Sequence, residues 1–98
     1  MNYTIEEQED NVVLAMEGRL DTSCVDTLNE KINGFISRIQ DKGLLIDCSR
    51  LEYISSSGLR LLLKLRKETT STIVLKDVQP SVRQILKITK IDNYFEIV

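Results

Sequence analysis

Three consecutive hydroxyls, Ser55, Ser56 and Ser57, stand directly before Gly58 and the leucine-rich stretch that opens at Leu59. A serine at the head of a helix accepts a hydrogen bond from one of the first-turn N–H groups that have no partner inside the helix. One hydroxyl is enough for that. A run of three leaves at least one free, at the positive end of a helix dipole, where an anion such as a phosphate is favoured. No GxxxxGK[ST] loop and no GxSxG elbow surrounds these serines, and the chain has no histidine to activate a hydroxyl or bind a metal. A reacting serine here would receive a group from another enzyme rather than attack a substrate unaided. Ser57, nearest the turn, is expected to be tied to backbone N–H groups as the cap. Ser55 follows the apolar Ile54 and is expected to be drawn toward the sheet, which leaves Ser56 as the free hydroxyl.

Gly18-Arg19-Leu20-Asp21 is the second candidate. Read structurally, the glycine ends a strand and the aspartate caps the next helix. Read functionally, Asp21 shares a rim with the serines. Asp47 is a weaker case, able to brace its own loop. Arg60, Lys64 and Lys67 recur along one side of the leucine-rich stretch, as a solvated face or as the charged rim of a partner surface. Cys24 and Cys48 show no CxxC spacing, so neither a zinc site nor a thioredoxin-type motif is supported, and both are expected to be reduced, half-buried thiols. Cys48-Ser49-Arg50 leaves room for a phosphoryl-carrier reading, although no glycine-rich cradle accompanies it.

The elements that must hold these residues fit one domain over positions 1–98, with 42% hydrophobic and 29% charged residues. Thirteen basic residues against fifteen acidic ones give a net charge of −2, without the basic excess of a direct nucleic-acid binder. The N-terminus lacks the basic and apolar regions of a signal peptide, and no apolar run approaches the roughly 20 residues that span a bilayer. The expectation is a cytoplasmic protein without membrane contact or cofactor.

Tyr3 to Gln8 alternates as a strand, Glu9-Asp10-Asn11 supplies a turn, and Val12 to Met16 reads as a more buried strand paired antiparallel to the first. Val25, Leu28, Ile32, Phe35, Ile36 and Ile39 trace one face of a helix. Ser23 and Asp26 resemble a capping box at its start, and Gly43 closes it or the loop beyond. Leu44-Leu45-Ile46 is a central strand whose polar end, Asp47-Cys48-Ser49, opens into a loop reaching Gly58. A second helix runs from Ser55 to Lys67, and a strand covers Thr72 to Leu75. A third helix has Pro80 in its first turn and a stripe of Val82, Ile85 and Leu86; a last strand covers Tyr94 to Val98. The order β-β-α-β-α-β-α-β implies an α/β domain with a mixed, mostly parallel sheet and three main helices. Function in such sheets gathers where strand C-termini open into helix N-termini. Two loops meet that description, Gly18–Ser23 and Cys48–Gly58.

With these residues in place the chain resembles a STAS domain, of the small stand-alone bacterial anti-sigma factor antagonist type. The resemblance covers essentially the whole chain. It rests on Gly18-Arg19-Leu20-Asp21, Leu45-Ile46-Asp47-Cys48-Ser49, Tyr53-Ile54-Ser55-Ser56-Ser57-Gly58-Leu59 and the closing Ile85 to Ile91 segment with Phe95. It implies that Ser56 is phosphorylated by an anti-sigma factor acting as a serine kinase, which supplies the ATP. The family commonly has an aspartate immediately before that serine, where this chain has Ser55. It further implies a non-enzymatic module whose Gly18, Asp21, Ser55, Ser56, Ser57, Gly58 and Arg60 face the partner. In its unphosphorylated state such a module binds the anti-sigma factor and frees the sigma factor. The alternative is a STAS interaction module that is never phosphorylated, acting as a constitutive scaffold.

Overall fold

The computed structural model describes residues Met1–Val98. Strands β1 (Asn2–Glu7) and β2 (Val12–Leu20) form the expected antiparallel pair, closed by a turn in which Gln8 N–H donates to Asn11 O over 2.8 Å. The chain continues through helices α1 (Thr22–Asn33) and α2 (Ile36–Lys42), strand β3 (Leu44–Ile54), helix α3 (Ser56–Glu68), strand β4 (Ile73–Lys76), helix α4 (Pro80–Ile88), a 3-10 turn (Ile91–Tyr94) and strand β5 (Glu96–Ile97). The sheet order is β1-β2-β3-β4-β5, and every pair after the first is parallel. Successive right-handed crossovers that always step the same way place their helices on one face. The burial pattern agrees. Val12, Leu14 and Met16, Leu44, Ile46 and Cys48, and Ile73 and Leu75 are buried, while the alternating Val13, Ala15, Leu45 and Val74 are only half-buried. One continuous cluster of 22 buried residues, almost all aliphatic, forms the core, so the chain is a single unit. No helix is long and apolar enough to cross a membrane.

Four details depart from the expectations. The single first helix is two helices, broken at Gly34 and Phe35, where Phe35 leaves helical geometry (φ −110°, ψ 1°). Second, β2 does not end at Gly18 but runs to Leu20, and β3 continues to Ile54 instead of opening into a loop after Ile46. Between Ala15 and Glu17 on β2, β3 advances from Asp47 to Arg50; between Gly18 and Arg19 it advances from Leu51 to Tyr53. Each step leaves an extra β3 residue, so β3 carries two bulges against β2. Gly18 stands at the second with φ +96°, a conformation that side-chain-bearing residues rarely adopt. Asp47 braces the first, accepting from Ser49 N–H at 3.0 Å.

Third, the capping box at Ser23 and Asp26 is absent, because Asp21 takes the cap itself. Fourth, the closing segment is mostly the 3-10 turn, and only Glu96 and Ile97 join the sheet, beside β4. The upper half of β3, beyond the reach of β4, is met instead by the start of α4. Gln79 Nε2 donates to Ser49 O at 2.8 Å and Ser81 Oγ to Glu52 O at 3.3 Å, which satisfies carbonyls that a sheet edge would leave open.

Candidate functional site

Because β2 and β3 are parallel neighbours, with Leu20 opposite Ile54, their C-terminal ends lie together. A single residue then links each strand to its helix: Asp21 between β2 and α1, Ser55 between β3 and α3. Ser55 N–H donates to Leu20 O at 2.8 Å and so extends the ladder to the rim. Asp21 and Ser55 are both N-caps. Asp21 Oδ1 accepts from Ser23 N–H at 3.1 Å and from Ser23 Oγ at 2.6 Å; Ser55 Oγ accepts from Gly58 N–H at 3.2 Å. The Ser23 hydroxyl above all, with help from the Ser23 N–H and the Cys24 thiol, holds the Asp21 carboxyl below the usual carboxylate range. Two helix N-termini thus stand side by side.

The three serines divide their work differently from the expectation. Ser55, not Ser57, is the cap, because its carbonyl opens α3 by accepting from Leu59 N–H at 2.9 Å. Ser57 Oγ lies 3.1 Å from Thr22 Oγ1, tying the first turn of α3 to that of α1. Ser56 is exposed at the first position of α3, and no protein group engages its hydroxyl. Replacing Ser55 by alanine is expected to lower stability by about 0.5–2 kcal/mol, the usual cost of a lost cap. Ser56→Ala is expected to melt as wild type. Thermal denaturation of the two variants side by side checks the division, which fails if Ser56→Ala is the less stable of the pair.

Gly58 is buried beneath this cluster. A Cβ there would lie 2.8 Å from Ile54 Cγ1 and 2.9 Å from Leu20 Cγ, so no side chain fits. Arg60 is exposed one turn further along α3 and lines a groove of about 290 Å³ between α1 and α3. Ser57 and Lys64 share its bank, and Asp26 and Asn29 stand opposite. Gly18 sits lower on β2, in a separate groove with Glu17, Arg50 and Glu52. Asp47 is likewise away from the serines; the Ser49 backbone N–H and then its hydroxyl lower its pKa.

Cys48 is 3% exposed inside the core, and burial, aided by Asp47 and Asp77, pushes its thiol up to about 12. A thiol so held is neutral and shielded, so the phosphoryl-carrier reading falls. Two rim residues escaped the sequence reading as individuals. Thr22 reaches Ser57, and Arg19 lies with its guanidinium 4.2 Å from the centroid of the Tyr53 ring, its partner across the strands. The signal for Thr22 was its place directly after a capping aspartate.

Known proteins share this fold. The chain is 23% identical, over an alignment of 100 residues, to the Bordetella bronchiseptica protein BtrV, named as an anti-sigma factor antagonist; the match covers 99% of this chain and 85% of BtrV. The structure of RsbS from Moorella thermoacetica superposes with a TM-score of 0.77 at 27% identity, over 100% of this chain and 86% of that one. The Bacillus cell fate determinant SpoIIAA in its phosphorylated form gives a TM-score of 0.74 at 20% identity, over 99% and 91%. The family model of the STAS domain matches residues 2–98, and the chain belongs to that family.

Proposed function

We propose that this protein is an anti-sigma factor antagonist: a binding module, not an enzyme, switched by phosphorylation of Ser56. Unphosphorylated, it binds an anti-sigma factor that is also a serine kinase and so displaces the sigma factor held there. The kinase supplies ATP. In the transfer the Ser56 Oγ–P bond forms, the bond from the γ-phosphorus to ADP breaks, and the hydroxyl proton passes to a base of the kinase.

The observation that carries the reading is the division of the three hydroxyls, which leaves one of them exposed and unengaged at the head of α3. Ser55, in the position of the family's aspartate, leaves the local geometry beside Ser56 intact. That position is the N-cap, and serine caps about as well as aspartate. Relatives named as anti-sigma factor antagonists, and the existence of SpoIIAA in a phosphorylated form, point the same way. The constitutive-scaffold alternative draws on the same substitution, which removes a carboxylate beside the acceptor.

A phosphate on Ser56 adds about −1.5 to −2 charges. The dipole of α3 favours it there by about 0.3–1 kcal/mol, so the fold persists and the change is one of surface charge. Incubation with the cognate anti-sigma factor and ATP, followed by intact-mass measurement, is expected to show one added phosphate and release of the complex. A complex that stays intact, without any mass change, would support the scaffold.

Asp21 tests the partner surface separately. Asparagine caps as well as aspartate, so Asp21→Asn is expected to keep the melting temperature near neutral pH while weakening the anti-sigma complex through the lost charge. Calorimetric titration run beside thermal melting distinguishes the two. Binding equal to wild type would reduce Asp21 to a cap. Its carboxyl pKa is depressed in the folded state, so the cap contributes fully above the ordinary carboxylate pKa. That contribution fades as pH falls through the folded value.

A further inference from the structure

We propose that the end of the domain opposite the serine cluster is a second docking surface, for an acidic peptide segment that carries a large apolar side chain. The 13 residues of α3 place the two ends about 20 Å apart. At the far end a groove of about 370 Å³ is lined by Leu63, Arg66 and Lys67 of α3, by Thr89, and by Ile91 and Tyr94 of the 3-10 turn.

Four large hydrophobic residues of the chain are exposed. Met1 and Val98 are its termini; the other two are Ile88, 71% exposed, and Tyr94, 57% exposed. Both interior ones therefore fall on the short stretch that borders this groove. The core does not require them there. Val82 and Leu86 already give α4 its buried stripe, and Ile91 and Phe95 anchor the 3-10 turn on either side of Tyr94. An apolar floor with an exposed tyrosine at its edge matches the composition of interface anchors.

Charge names the occupant. The only charged residues lining the groove are two cations, Arg66 and Lys67, and Lys87 and Lys90 flank Ile88 and Thr89 in the chain. Arg66 donates only to carbonyl oxygens, of Thr69 at 2.9 Å and Ser71 at 2.6 Å. Glu68 is turned toward Lys64, which leaves Asp92 as the carboxylate of the 3-10 turn. In a chain with net charge −2 this groove thus has a cationic lining and no carboxylate of its own. That potential complements an acidic partner. A lipid surface fits less well. Interfacial helices bury a whole apolar face in the bilayer, and α4 spends its own on the core.

The test uses the whole chain, isotope-labelled, and two libraries of short synthetic peptides. In one, Asp and Glu are interspersed with Leu, Phe and Trp; in the other, Lys and Arg replace the acids. The acidic library is expected to be retained, with amide shifts centred on Lys67, Thr89, Ile91 and Tyr94. Reversing two exposed charges, Lys67→Glu with Lys90→Glu, is expected to weaken binding of the retained peptides roughly tenfold or more, while the fold persists with a melting temperature lowered by only several degrees, the cost of a carboxylate in the last turn of α3. Tyr94→Ser, which removes the anchor but no charge, is expected to weaken it as well. Equal retention of both libraries, or shifts confined to another face, overturns the proposal. So does sedimentation with phosphatidylglycerol vesicles in the absence of peptide binding, which would make the surface lipid-directed. A concentration-dependent dimer that protects these amides would make the occupant a second copy and overturn it too.

Discussion

Ser56→Ala is expected to hold the anti-sigma factor permanently, with or without ATP, and to remain unmodified. Ser56 is the residue whose loss should change regulation without touching the fold, since its hydroxyl caps nothing and bonds nothing. Ser56→Asp is expected to bind poorly yet not as poorly as the phosphorylated protein, because one carboxylate carries less charge than a phosphate. The difference between phosphorylated and unmodified protein should be orders of magnitude in affinity. A swing of a few kcal/mol is enough, at about 1.4 kcal/mol per tenfold. Phosphosite mapping and binding of both variants check this. Phosphate found on Ser55 or Ser57 instead, or a Ser56→Ala protein that still gains mass, would show the acceptor to be elsewhere.

Gly58→Val should have the largest effect on stability. Even alanine faces a conflict. Helix propensity favours it over glycine by about 1 kcal/mol. Against that, its Cβ would sit 2.8 Å from Ile54 Cγ1 and within 3.0 Å of two Leu20 carbons. Ile54 and Leu20 are both buried, and the two nearest contacted atoms, Ile54 Cγ1 and Leu20 Cγ, lie within the side chains and not at their free ends. Overpacking of this kind costs about 1–3 kcal/mol, so it outweighs the propensity gain. Valine adds two methyl groups to the same spot and should reach the upper end of that range. For a domain of this size each kcal/mol lowers the melting temperature by about 4–8 °C. Leu20 and Ile54 are also the residues just before Asp21 and Ser55. Any shift that makes room for a side chain at Gly58 therefore moves both caps, and partner binding should fall with stability. A Gly58→Val protein that melts like wild type would mean that the strand ends yield without cost.

The alternation of elements was legible because each strand and helix kept its own period. The site was only partly so. Asp21 had two readings, a helix cap or a member of the serine rim, with a capping box at Ser23 and Asp26 as a rival cap. The structure gives the cap to Asp21, because β2 runs to Leu20 and leaves it as the single residue before α1. The cap among the serines was misplaced by two residues. Three serines in a row give no local signal as to which carbonyl starts the helix; that is fixed by Ile54, the last core residue of β3. The length of β3 was hidden for a related reason. Strict alternation would bury Cys48, Arg50 and Glu52 in turn, but the buried residues after Cys48 are Leu51 and Ile54. Each gap of three is a bulge, and the polar residues it displaces read as a loop. The break in the first helix was masked because the apolar stripe continues across it, and only the backbone at Phe35 shows the turn.

The strand order carries a consequence for synthesis. Each strand lies beside the one made just before it, from β1 through β5. Every sheet pairing therefore closes over one hairpin or one crossover. Only the β1–β2 hairpin is local in sequence; the three parallel pairings join residues about 20 to 35 positions apart and are the slower steps. On the ribosome, where chains grow at about 5–20 residues per second, the sheet can be laid down strand by strand as the polypeptide emerges. The rim bearing Asp21 and the serines is complete once α3 has formed, before β4 and β5 exist. The two-residue β5 then adds the final edge to a sheet whose rim is already assembled.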